Sequence, residues 1–182
     1  MILGLFYWYV QNNVVPTENE VQNVPYSQEK PDNTGVLLEI GGEATFFYLD
    51  FQNTLLAVSI NPQVNSSEVY GYPLDYTITA DYDLLAFIVD YFGGVEISAN
   101  GETLRHTGLQ ISETLKRSTD KQLRRDIITN ICKKICDRGV TTEFFVEIIQ
   151  KSTTKMRLVD CYFWYEDIGE MCRRVEFITT KN

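Results

Sequence analysis

Apolar positions along the chain recur first with the period of a strand and then with that of a helix. Val36-Leu37-Leu38-Glu39-Ile40, Thr45 to Phe51 and Leu55 to Ile60 are short runs rich in β-branched and aromatic residues. They are parted by Gly41-Gly42 and Gln52-Asn53, residues that favour turns, so the pattern predicts three strands with a hairpin between the last two. Asn61 to Asp75, rich in Asn, Ser, Gly and Pro, predicts a loop, and Tyr76 to Ala80 alternates as another strand. At Asp81 the period lengthens. Leu84, Leu85, Ile88, Val89 and Phe92 fall on one helical stripe, Asp81 is a good N-cap, and Gly93-Gly94 stands where helices stop. Val95 to Ile97 and Thr103-Leu104 around Asn100-Gly101 predict a small hairpin. Helical spacing returns over Leu109–Lys116, over Asp120–Asp137 with Leu123, Ile127, Ile128, Ile131 and Ile135 inward, and in a third helix capped by Thr141. Met156 to Tyr165 and Arg174 to Thr179 alternate and predict two closing strands. Because strands and helices interleave, the predicted class is α/β, with a central mixed sheet flanked by helices.

The first 35 residues follow neither pattern. Met1 to Val10 is apolar throughout, yet as a helix it spans only ~15 Å, half of a bilayer core. It lacks a basic n-region and a cleavage site, so it is not a normal signal peptide. It reads as the remnant of a membrane anchor, with Phe6 to Tyr9 suited to the interface belt, or as a terminal segment docked on the domain. Gln11 to Gly35 holds three of the five prolines and five asparagines, the composition of a linker. The domain is therefore assigned to residues 36–182. With 44% hydrophobic residues it has enough apolar content to fold without a staple.

Charge is unevenly placed. Residues 1–104 hold fourteen acids and one base, Lys30, whereas half of all Lys and Arg lie between Lys116 and Arg138. A basic stretch on an acidic body focuses an anion locally, or else is a solvated helix face. The acidic body repels duplex phosphates, so nucleic acid is not an expected partner. The four cysteines form no zinc motif: Cys132 and Cys136 stack on one helix face, while Cys161 and Cys172 either bridge neighbouring strands or are buried thiols.

Three segments, in this order and spacing, resemble the LytR-CpsA-Psr family of cell-envelope proteins. Thr45 to Ile60 is similar to the family's first hairpin, which ends in Ser-Ile-Pro-Arg-Asp. Leu84 to Ile97, with Val89-Asp90-Tyr91-Phe92-Gly93-Gly94-Val95-Glu96-Ile97, is similar to the family's VD-x-x-GGVEV segment. Thr107-Gly108-Leu109-Gln110 through Arg117 to Ile128 resembles its "tG.qAL.yvR" helix and the following "R..RQ" helix. The resemblance covers roughly residues 36–152. It implies an extracytoplasmic domain held by one N-terminal membrane helix, mainly in Gram-positive bacteria. Such enzymes function in cell-wall biogenesis, transferring a glycopolymer from a polyprenyl-pyrophosphate carrier to peptidoglycan. The resemblance further implies an apolar pocket for the polyprenyl tail, arginines on the pyrophosphate and aspartates holding magnesium. Arginine forks match phosphate oxygens, and magnesium neutralises charge on the leaving group.

This chain departs from the family at those positions. Ser59-Ile60-Asn61-Pro62-Gln63 lacks the motif's Arg and Asp. Ala44-Thr45 stands where the family has Asp-Thr, although Glu43 is adjacent. In the "R..RQ" element Gln122 replaces the first Arg and Asp126 the Gln. Arg117 and Arg125 remain as carried-over phosphate grips, with Arg124 as a shift-by-one substitute. Losing an Arg and metal carboxylates together removes most of the electrostatic stabilisation of phosphoryl transfer. The expectation is a degenerate member that binds a polyprenyl-(pyro)phosphate-linked glycan or similar envelope anion through Arg117, Arg124 and Arg125. It has no catalytic residue and no cofactor; magnesium enters only if activity is kept. Two alternatives stay open: an active phosphotransferase drawing on Glu43, Asp50, Asp75, Asp81 or Asp83, and an envelope protein-interaction domain.

Overall fold

A computed structural model of the chain describes residues 30–65, 67–99 and 102–178. The apolar segment 1–10 and the linker up to residue 29 lie outside the described residues. The first strand starts inside the span read as linker: β1 (Asn33–Ile40) takes Asn33, Thr34 and Gly35 into the sheet. Gly35 is needed there, because a Cβ would lie 1.8 Å from the carbonyl oxygen of Pro73.

β1 turns at Gly41-Gly42 into β2 (Glu43–Asp50), which pairs antiparallel with β3 (Leu55–Ile60). The β2–β3 turn is held by Asp50, whose carboxylate accepts from the backbone N–H groups of Gln52 and Asn53 and from the Asn53 amide. These bonds keep its carboxyl below the usual range, the Asn53 side chain being the largest cause. The span from Asn61 to Asp75, expected to be a loop, carries a three-stranded sheet of two-residue strands: β4 (Val64–Asn65), β5 (Glu68–Val69) and β6 (Tyr72–Pro73). Val69 from this flap packs against Leu37 and Phe46, covering one face of the main sheet.

β7 (Tyr76–Ala80) then runs parallel to β1 and leads into α1 (Tyr82–Tyr91), capped by Asp81. The β8–β9 hairpin (Val95–Ala99, Glu102–His106), α2 (Gly108–Arg117), α3 (Lys121–Arg138) and α4 (Thr142–Gln150) follow. β10 (Ser152–Thr154) adds antiparallel to β7. The main sheet has the order β10-β7-β1-β2-β3-β11 and is mixed, with helices on its second face.

One expectation is overturned. Met156 to Tyr165 is not a strand: residues Leu158–Met171 form helix α5, and only Val175–Phe177 is the strand β11, parallel to β3. The aromatic and β-branched content favours a strand, but Leu158, Cys161, Trp164, Ile168 and Met171 lie three or four apart. Asp160 sets the helix start by accepting from the backbone N–H of Arg157 at 2.8 Å. Cys161 and Cys172 therefore bridge no neighbouring strands. All four cysteines are free, and Cys132, Cys161 and Cys172 are buried.

Candidate functional site

The strand alternation of β1 and β2 sends Val36, Leu38, Ile40, Thr45, Phe47 and Leu49 toward the helices. Those side chains and the apolar faces of α1, α3, α4 and α5 do not meet completely. Between them lies a cavity of about 220 Å³, walled by Leu38, Phe47 and Ile78 from the sheet and by Ile88, Ile128, Phe145 and Trp164 from the helices. Arg124 is the single charged residue of this lining. An interior normally packs with few voids larger than a water molecule, so an apolar space of this size is shaped for an apolar occupant.

Arg124 stands in the first turn of α3, which Asp120 caps by accepting from Gln122 and Leu123. It is only 8% exposed. Its Nε and Nη2 are buried without a hydrogen bond, and Nη2 lies 3.8 Å from Oε2 of Glu43. Glu43 opens β2 directly after the Gly41-Gly42 turn. Asn61 leaves β3 beside it, with φ of 50° and its backbone N–H donating to the Ala44 carbonyl at 2.8 Å. Glu43 Oε2 and Asn61 Oδ1 are likewise buried with no hydrogen-bond donor. Buried polar atoms are nearly always paired, so these donors and acceptors, gathered at the carboxyl ends of the parallel strands β1 and β7, make this the candidate site.

The three predicted arginines are separated by the fold. Arg124 alone lines the cavity. Arg125, next in sequence, lays its guanidinium over the Phe177 ring at 5.3 Å, with its Nε buried and lacking a hydrogen bond. The Arg117 side chain is 82% exposed and pairs with Glu113 across one helical turn at 3.5 Å. The family-position arginine that a shift of one was meant to replace is thus the outer one, and the substitute is the buried one. Three other members of the basic stretch have local partners. Lys134 and Arg138 donate to the Phe92 carbonyl at the C-terminus of α1, where a helix end favours cations, and Lys116 pairs with Glu113. Asp90 is structural: its carboxylate accepts from Gly108 N–H at 2.7 Å, tying α1 to the start of α2. Gly93 and Gly94, at φ of 73° and 92°, form the backbone turn that ends α1. Of the two acceptors, Glu43 is marked in the sequence as the carboxylate beside Ala44, whereas Asn61 stands where the family motif has Pro and carries no mark.

The family resemblance implies magnesium, and the residues present do not fit it. Among the described residues no three His, Cys, Asp or Glu side chains gather to hold an ion. The carboxylate at the cavity's polar end faces a guanidinium, so the cation opposite it is supplied by the protein itself.

No family model matches the chain, and no curated protein matches it in sequence. Solved structures share its fold. TagT bound to LI-WTA is similar with a TM-score of 0.61 at 13% identity, over 87% of this chain and 82% of that one. A transcriptional regulator from Enterococcus faecalis is similar with a TM-score of 0.61 at 10% identity, over 81% and 75% of the two chains. The transcriptional regulator yvhJ from Bacillus subtilis gives 0.60 at 12% identity, over 83% of each. At these identities the likeness is one of fold, which in this chain is a six-stranded mixed sheet with five helices among the described residues.

Proposed function

The fold is LytR-CpsA-Psr-like, and from it we propose that the domain binds a polyprenyl-(pyro)phosphate-linked glycan, its apolar chain in the cavity and its phosphate on Arg124, without turning it over. The observation that carries this reading is a buried arginine, with two N–H groups that make no hydrogen bond, lining a cavity whose remaining walls are almost wholly apolar. An apolar chain satisfies the walls and an anion satisfies the guanidinium. Loss of turnover rests on Asn61-Pro62-Gln63 and Ala44, where the family's Arg and Asp residues are absent. The domain then works outside the cytoplasm beside the membrane, where such lipids present their headgroups. No helix among the described residues is long and apolar enough to cross a membrane.

The test is titration of the protein with a polyprenyl phosphate in detergent micelles. Wild type binds, and Arg124→Ala weakens binding by ~1.5–3 kcal/mol, the scale of hydrogen bonds to a charged group. Equal affinity in both proteins contradicts the reading and returns the domain to the protein-interaction alternative.

A further inference from the structure

Resting on that lipid-phosphate reading, we propose that the headgroup site takes one phosphate esterified to a hydroxylated group, as in a polyprenyl-phosphoryl sugar, and takes it without a metal ion. Three observations converge. The first is the donor pattern. Nε–H and Nη2–H of Arg124 lie on the same edge of the guanidinium, and neither makes a hydrogen bond, the Glu43 carboxylate standing 3.8 Å from Nη2 as a long ion pair. That edge is a fork for two oxygens of a single phosphate.

The second is charge. Arg124 is the one positive charge of the cavity lining, with the Glu43 carboxylate 3.8 Å from its Nη2. A phosphodiester brings a single negative charge, the least that a phosphate-linked headgroup can carry. A diphosphate brings at least one more, within reach of the Glu43 carboxylate that already sits 3.8 Å from Arg124 Nη2; uncompensated charge in a buried site is strongly disfavoured.

The third is the acceptor pattern. Glu43 Oε2 and Asn61 Oδ1 are buried oxygens that lack a donor, and a phosphate, itself an acceptor, cannot supply one. Sugar hydroxyls donate, so the second substituent of the phosphodiester satisfies the two atoms that the phosphate leaves unpaired. The site is half donor and half acceptor, and so is the proposed ligand.

The experiment uses the full chain in micelles and lipids of one chain length: a polyprenyl-phosphoryl hexose, the polyprenyl monophosphate and the polyprenyl-diphosphoryl hexose, each in EDTA and in magnesium. Phosphatidylglycerol, a hydroxylated phosphodiester on acyl chains, is the fourth arm. The phosphoryl hexose is expected to bind about tenfold or more tighter than the diphosphoryl hexose and tighter than the bare monophosphate, with EDTA and magnesium agreeing within about twofold. Glu43→Gln removes the repelling charge and is expected to narrow the single-over-double phosphate preference to about threefold or less. Arg124→Lys keeps the charge but not the fork, and is expected to lose about tenfold for the phosphoryl hexose while the far-UV spectrum stays that of wild type. A preference for the diphosphate, or a tenfold gain from magnesium, overturns the inference while leaving lipid binding intact. Tighter binding of phosphatidylglycerol overturns the isoprenoid assignment, and failure of every polyprenyl lipid to bind removes the reading on which the inference rests.

Discussion

Enlarging Leu38 separates a true cavity from a loosely packed core. Leu38 lies in the middle of β1, opposite Thr45 of β2 and Ile78 of β7, and its side chain faces the space beneath the helices. At ~24 cal/mol per Å³ of enclosed empty space, about 220 Å³ sets a ceiling of ~5 kcal/mol on what filling could add, and the cavity is partly open to solvent. Leu38→Phe adds about three carbons at ~0.8 kcal/mol each when fully buried, a ceiling of ~2.4 kcal/mol. Subtracting ~0.5–1.5 kcal/mol for an imperfect rotamer leaves a stabilisation of ~1–2 kcal/mol, which raises Tm by ~2–8 °C for a domain of this size. In a close-packed core the same substitution costs ~1–3 kcal/mol through overpacking, so the sign alone decides. Urea denaturation followed by far-UV circular dichroism measures it, and lipid titration of the same variant measures the loss of room for a chain. A lower urea midpoint combined with unchanged lipid affinity would refute both the cavity and its use.

Three further outcomes follow from particular contacts. Gly108→Ala places a methyl group 2.1 Å from the Ala86 carbonyl oxygen, forcing α1 and α2 apart at a cost of ~1–3 kcal/mol; an unchanged urea midpoint means the helices are not in that contact. Arg117→Ala removes an exposed side chain and is expected to leave polyprenyl phosphate affinity within about twofold, so a loss comparable to that of Arg124→Ala would restore the outer arginine to the site. Burial pushes the Cys161 thiol up from 9.0 to about 12. The folded chain therefore keeps a proton that the unfolded chain releases, and the resulting stability, complete below pH 9, falls by ~1.4 kcal/mol per unit as pH rises toward 12. Cys161→Ala should show a shallower fall over that window in equilibrium denaturation, and identical slopes exclude the buried thiol as the cause.

Local chemistry made much of the fold legible. Gly41-Gly42 and Asp50 with Asn53 fix the turns of the first three strands, and both turns are where the sequence places them. Asp81 and Gly93-Gly94 bound α1 because capping and left-handed backbone are demands of single residues. α5 does not show as a helix in the sequence because Val159, Tyr162, Phe163 and Trp164 carry strand propensity, while the helical spacing of its buried residues emerges only over three turns. The flap β4–β6 has strands of two residues, too short to leave a period.

The site was legible only in part, for a similar reason. Sequence marks a basic stretch, but it does not say which of two adjacent arginines turns inward; about 100° of helix rotation places Arg124 in the cavity and Arg125 over Phe177. The cavity itself has no mark in the sequence, since Leu38, Phe47 and Ile128 have the composition of any core. Whether such residues meet or leave a gap depends on the spacing of α3, α4 and α5 above the sheet, which is set by contacts far apart in the chain.

The central claim is that an isoprenoid chain lies in the cavity with its phosphate at Arg124. A photoreactive polyprenyl phosphate, bound to the full chain in micelles, irradiated and mapped by peptide mass spectrometry, tests it directly. The account predicts labelling of peptides from β1, α3 and α5, at residues such as Leu38, Ile128 and Trp164, competed by unlabelled lipid and lost in Arg124→Ala. Labelling confined to the exposed Leu104 and Leu109, or undiminished in Arg124→Ala, would contradict it.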